Sequence, residues 1–141
     1  MEMLHIQIVQ VGKTKDSYFK EAEQEYIKRL SRYGKTTVDT VDDDDKILAR
    51  VNKDSYKIAL VIEGKQLSSE EFAEKLKVIQ RTGHVTFIIG GPHGLPQEVI
   101  DSSDFSLSFS KMTFTHQMIR VILLEQIYRA CTIIEGKKYH Y

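Results

Sequence analysis

Residues 84–120, HVTFIIGGPHGLPQEVIDSSDFSLSFSKMTFTHQMIR, place two short apolar runs immediately before two sharply different loops. The first run ends in Gly-Gly-Pro-His-Gly. The second, after a short amphipathic segment, ends in a polar Ser/Thr/Lys stretch that opens a long apolar helix. Strands that feed loops and then helices belong to α/β sheets, and ligands of such sheets bind at the strand ends. This stretch therefore constrains the fold class and the place of a site together.

The rest of the chain repeats the alternation. LHIQIVQV (4–11) has the period of a strand, and Gly12 ends it. Asp16 or Ser17 caps a helix to about Leu30, with Phe19, Ala22, Tyr26, Ile27 and Leu30 as its apolar stripe and Gly34 as its end. Thr36–Val41 reads as a second strand and Lys46–Val51 as one or two helical turns. Tyr56–Ile62 is an interior strand apolar on both faces, which Glu63-Gly64-Lys65 turns out of the sheet. Ser68 and Glu71 spell a capping box for a helix that buries Phe72, Ala73, Leu76 and Ile79 and stops at Gly83. Val85–Ile89 is a strand, Pro96 suits a first helical position before Gln97–Ser102, and Phe105–Phe109 is strand-like. His116–Ile134 is helical and apolar on more than one face, so part of it calls for a partner subunit; Gly136 stops it. The expected fold is α/β, a mostly parallel sheet flanked by helices, in a single domain over 1–141.

Charge and composition narrow the partners. The chain has 20 basic and 20 acidic residues, so net charge neither selects nor excludes a polyanion. Position says more. From Phe105 onward five basic residues stand against two acidic ones, while Asp42–Asp45 is an acidic run, so a nucleic-acid footprint falls to the C-terminal third and the first helix. The four aspartates lack the spaced oxygen ligands of a cation loop and read as solvated, and no residue cluster has metal-ligand spacing. Cys131, the only cysteine, sits among apolar residues and reads as a buried, inert thiol. No apolar run approaches a membrane span and no leader pattern opens the chain, which points to a cytoplasmic protein.

Two loops and the tail carry the candidate chemistry. Gly90, Gly91 and Gly94 fit either a structural turn or a close approach of backbone to adenine or ribose. The spelling is neither a Walker loop nor a dinucleotide fingerprint. Ser110–Thr115 is either a polar helix start or the second wall of the same pocket. His116 and Arg120 lie four apart near the helix N-terminus, placed for a ribose, carboxylate or phosphate or for structural roles. Arg129 calls for a carboxylate partner, and His93 reads as exposed. Lys137, Lys138, Tyr139, His140 and Tyr141 combine charge with stackable rings, which suits an unpaired base and its phosphates.

Those motifs, IIGGPHGL, SLSFSKMTFTHQMIRV with LLEQIYRA, and the terminal YH, resemble the bacterial 23S rRNA pseudouridine N3-methyltransferase family of the SPOUT class, nearly end to end. The resemblance implies a C-terminal deep trefoil knot and a homodimer formed through the long last helix. It implies bound S-adenosyl-L-methionine held by Leu60, Gly90, Gly91, Ser110, Lys111, Met112, Thr113, Phe114 and Thr115. It implies methyl transfer to N3 of a pseudouridine in the assembled ribosome, with His116, Arg120 and His140 as candidate catalytic residues and Lys137–Tyr141 contacting RNA. One subunit's cofactor pocket would be completed by the other. The chain departs from the family at Thr115, where relatives have Pro and a threonine can cap the helix instead, and at Tyr141, where many are basic. It also departs in a shortened, Asp-rich segment between the second and third strands. Two other readings follow: methylation of a different RNA, and a dimeric ribosome- or RNA-binding protein without catalysis, against which the intact cofactor loops argue.

Overall fold

A computed structural model of the chain describes residues 3–140. Five strands, β1 (Leu4–Val11), β2 (Gly34–Val41), β3 (Tyr56–Gln66), β4 (His84–Ile89) and β5 (Phe105–Ser108), form one sheet in the order β2-β1-β4-β3-β5, every neighbouring pair parallel. Parallel neighbours need crossovers. These are α1 (Ser17–Leu30), α2 (Ile47–Arg50), α3 (Ser69–Ile79) and α4 (Gln97–Asp101), and α5 (His116–Glu135) follows β5.

Alternation along the strands sorts the core into two layers. Leu4, Ile6 and Ile8 of β1 and Val85, Phe87 and Ile89 of β4 face α1, α3 and α5, forming the larger cluster with Leu30, Leu76, Leu123 and Ile127. Val9 and Ile88 point the other way, against Ile47 and Val51 around α2 and Val99 of α4. α3 starts as its sequence dictates: Ser68 Oγ accepts from Glu71 N at 3.0 Å and Ser68 N donates to Glu71 Oε1 at 2.7 Å, completing the capping box. Gly83 ends the following turn at φ +80.

Several boundaries differ from the sequence expectation. α1 closes at Ser31, whose N–H bonds the carbonyls of Ile27 and Lys28, and Gly34 is already the first residue of β2, paired with Leu4. Pro96 stands just outside α4 with extended ψ of 148°. More consequential, Glu63-Gly64-Lys65 does not lead the chain out of the sheet. β3 slips register between Leu60 and Lys65, both of which pair with Leu107, and then continues to Gln66. Residues 61–64 are thereby looped out. A Cβ on Gly64 would lie 2.8 Å from the backbone of Ser106 and Leu107, so only glycine lets the returning strand press against β5.

The helical layer leaves apolar surface uncovered. α5 buries Arg120, Leu123, Leu124, Ile127, Ala130, Cys131 and Thr132, but Val121 and Ile122 are half-buried and Met118 is 44% exposed. On α1 only Leu30 is fully buried; Phe19, Ala22, Tyr26 and Ile27 are half-covered rather than interior. Cys131 is buried, and burial pushes its thiol up to about 12. No helix among the described residues is long and apolar enough to cross a membrane.

Candidate active site

The C-terminal ends of β3, β4 and β5 converge on one cavity of about 200 Å³. Leu60, Val61 and Ile62 come from the slipped segment of β3, Ile89, Gly90, Gly91, Pro92 and Gly94 from the end of β4, residues 107–110 and 112–114 from β5 and its loop, and His116 and Ile119 from the first turns of α5. The cavity is thus a product of topology, built where adjacent parallel strands send their connections apart.

The glycine loop is held by its own backbone. Gly94 N donates to Gly91 O at 3.0 Å, and Gly94 turns at φ +81. A Cβ on Gly90 would lie 2.7 Å from the Gly94 carbonyl carbon and 2.8 Å from its oxygen, so the loop folds over this residue too closely for any side chain. Opposite it, Ser108 Oγ donates to Ser110 O at 3.0 Å and Met112 N donates to Ser110 Oγ at 2.9 Å. Thr115, standing where proline was expected, has φ −61 and accepts from Met118 N at 3.3 Å, capping α5 as a threonine can.

Of the nine residues with an expected cofactor role, Leu60, Gly90, Gly91, Ser110, Met112, Thr113 and Phe114 line the cavity; Lys111 and Thr115 do not. Lys111 is exposed. Val61, Ile62, Ile89, Leu107 and Ile119 are apolar walls that motif reading missed. Their only signal was position, each next to a loop or on a turn below one. The lining contains no Lys, Arg, Asp or Glu.

His116, Arg120 and His140 part company. His116 lines the cavity, and burial, with smaller contributions from the charges of Arg120 and Lys15, lowers its pKa below the ordinary 6.5. Arg120, a candidate for catalysis or for a structural role, is 1% exposed and turned to the β1–α1 loop. Its Nη2 donates to Val11 O at 2.7 Å and Gly12 O at 2.8 Å, and its Nη1 to Thr14 Oγ1 at 3.0 Å. His140 lies on the helical layer, its Nε2 2.6 Å from Glu70 Oε1 and its Nδ1 3.1 Å from Arg129 Nη1.

The tail around His140 is a packed cluster rather than a loose end. Tyr139 donates to Glu125 Oε2 at 2.9 Å, packs edge-on against Tyr128 at 4.8 Å, and lies under the Arg129 guanidinium at 4.9 Å. Arg129 finds its carboxylate in Glu125, at 3.1 Å. Burial, then hydrogen bonds with Tyr26 and Glu125, raise the Tyr139 pKa. Lys137 pairs with Glu135 at 3.4 Å, Lys138 and His93 are exposed, and Tyr141 lies outside the described residues. Among the described residues no group of three or more His, Cys, Asp or Glu could hold a metal ion.

An all-parallel sheet with an uncharged cleft at its strand ends, walled by a glycine loop and a hydroxyl-rich loop, defines an α/β protein with a ligand cleft at the carboxyl edge of its sheet. The chain belongs to the SPOUT methyltransferase family: the family model described as predicted SPOUT methyltransferase matches residues 4–140. It is similar to the ribosomal RNA large subunit methyltransferase H of Carboxydothermus hydrogenoformans, 46% identical over 158 positions covering 97% of this chain and 99% of that one. The protein of the same name from Halothermothrix orenii is 43% identical over the same shares. These alignments exceed the 141 residues of the chain, so the relatives carry residues that it lacks. Among solved structures, a probable methylase family protein from Haemophilus influenzae matches with TM-score 0.63 at 15% identity, over 96% of this chain and 70% of that one. The SpoU methyltransferase AviRb from Streptomyces viridochromogenes, in complex with AdoMet, matches with TM-score 0.51 at 10% identity, over 96% and 62%.

Proposed function

We propose that this chain is an S-adenosylmethionine-dependent methyltransferase of 23S rRNA whose target atom is N3 of a pseudouridine. The observation that carries this is the convergence of the Gly90–Gly94 and Ser108–Phe114 loops on one cavity, in a chain that aligns with rRNA large subunit methyltransferases over 97% of its length.

The lining fits the cofactor. Leu60, Ile89, Leu107 and Ile119 offer apolar surface to a purine, and loop backbone and hydroxyls offer hydrogen bonds. Absence of a basic side chain disfavours a polyphosphate. His116, held towards its neutral form by burial, sets no imidazolium against a sulfonium. Bound there, S-adenosylmethionine supplies an electrophilic methyl group. Gly90 and Gly91 hold the nucleoside, Met112 and Phe114 offer apolar surface at the cavity's rim, and His116 orients the pocket floor. N3 carries a proton at neutral pH, so the base edge needs an acceptor or a field that stabilises its anion.

Within one chain Tyr139 and His140 lie on the α3–α5 surface and do not line the cavity. They serve the reaction from a second copy: the homodimer forms through α5, and the tail of one subunit meets RNA at the cavity of the other, His140 holding the base edge and Tyr139 stacking. The exposed Met118 and the half-buried Val121 and Ile122 support this assembly. The same reading takes 1–141 as one catalytic domain, acting in the cytoplasm on assembled ribosomes, with its C-terminal segment threaded as a trefoil knot.

Labelled methyl transfer to ribosomes from cells lacking this protein, with mass spectrometry of the modified nucleotide, tests the reaction. Label on N3 of one large-subunit pseudouridine is the expected result. No label despite bound cofactor would overturn the substrate and turn attention to another RNA, the role for which the chain's missing residues relative to its relatives argue.

A further inference from the structure

Among the described residues Arg120 is the largest fully buried side chain, and none of its hydrogen bonds goes to a carboxylate. Its three hydrogen bonds go to two carbonyls and a hydroxyl, and its Nε has no partner. The nearest negative charge it senses, Glu23, is reached through Thr14, whose Oγ1 donates to Glu23 Oε1 at 2.7 Å. A buried guanidinium satisfied only by neutral acceptors is costly, and core packing alone would be served better by an apolar residue.

One turn earlier, Gln117 binds the same loop. Its Oε1 accepts from Lys15 N at 2.7 Å and Asp16 N at 3.1 Å, and its Nε2 donates to Asp16 Oδ2 at 3.3 Å. The first turns of α5 therefore have two working sides. His116 and Ile119 line the cavity, while Gln117 and Arg120 grip residues 11–16 more than a hundred positions upstream. The gripped loop in turn backs the glycine loop: a Cβ on Gly91 would lie 3.5 Å from Val11 Cγ1.

We infer that Gln117 and Arg120 are positioning residues, a clamp that sets the start of α5 and the glycine loop at a fixed separation across the cavity. The inference rests on the cavity being the S-adenosylmethionine site. A lysine at 120 keeps the charge but cannot span three acceptors with one fork. A glutamate at 117 still accepts from the two amides but turns a donor facing Asp16 into a like charge, which Asp16→Asn then relieves.

Calorimetric titration of the full-length protein with S-adenosylmethionine, beside thermal unfolding without it, tests this. Gln117→Glu is expected to bind about tenfold more weakly, and Asp16→Asn with Gln117→Glu to recover most of that loss. Arg120→Lys is expected to lose at least as much as Gln117→Glu. Gln117→Glu that stays folded and binds like wild type overturns the clamp, as does a double variant that regains thermal stability without affinity. Wild-type protein that does not bind the cofactor overturns the proposed function itself, and the clamp with it. Should Arg120→Lys fail to fold, the charge-relief pair still decides.

Discussion

His116 is the only titratable side chain among the described residues that line the cavity. Burial is the largest cause of its lowered pKa, followed by Arg120 and Lys15. A nuclear magnetic resonance titration should place its midpoint below 6.5, and Lys15→Ala should raise it; a midpoint at or above 6.5 would contradict the burial seen here. The same shift has a consequence for stability. The unfolded chain protonates this histidine first, so acidification favours unfolding. Its contribution is intact above about pH 6.5 and is lost as pH falls from there through the folded pKa, below which it costs nothing further. Replacement of His116 by Gln should flatten that part of a stability-against-pH curve.

At the scale of elements, the cavity depends on two close backbone contacts, at Gly90 and at Gly64. Gly90→Ala should abolish tight cofactor binding, because the added methyl meets Gly94 backbone at 2.7 Å and no flexible atom can yield. Circular dichroism should show the sheet retained while calorimetry shows the affinity lost. Ser68→Ala, which breaks the capping box on α3 without touching the cavity lining, should instead cost about 1 kcal/mol of stability in denaturant unfolding and leave affinity unchanged. Strand and helix order was legible from period and capping residues because both are local. What stayed hidden was non-local. Gly64 reads as a turn until β5, some forty residues on, is seen pressed against it, and only then does the slip that pushes Val61 and Ile62 into the cavity make sense. Arg120 reads as a ligand-binding arginine because its true acceptors, Val11 O and Gly12 O, lie 109 and 108 residues away. The two loops of the site were legible as motifs; their apolar back wall, made of ordinary strand residues, was not.

At the scale of the molecule, a single chain leaves apolar surface uncovered beside its cavity. Phe114 and Met112, 41% and 77% exposed, line the cavity, and Met118, 44% exposed, stands in the first turn of α5, while the aromatic tail lies on the α3–α5 surface, held by Glu70, Glu125 and Arg129. Exposed apolar side chains grouped beside a cleft mark an interaction surface. A two-fold pairing through the start of α5 would cover that surface and bring one tail towards the other cavity. Sedimentation should then give about twice the chain mass of 16.3 kDa. Met118→Glu replaces an exposed side chain and so should spare the fold of each subunit, yet place like charges across the two-fold axis. The expected variant is a folded monomer that transfers no methyl group, because the tail that should complete its site is missing. A Met118→Glu protein that sediments as a monomer and still methylates ribosomes at the wild-type rate would remove the shared site and return His140 to a role within its own chain.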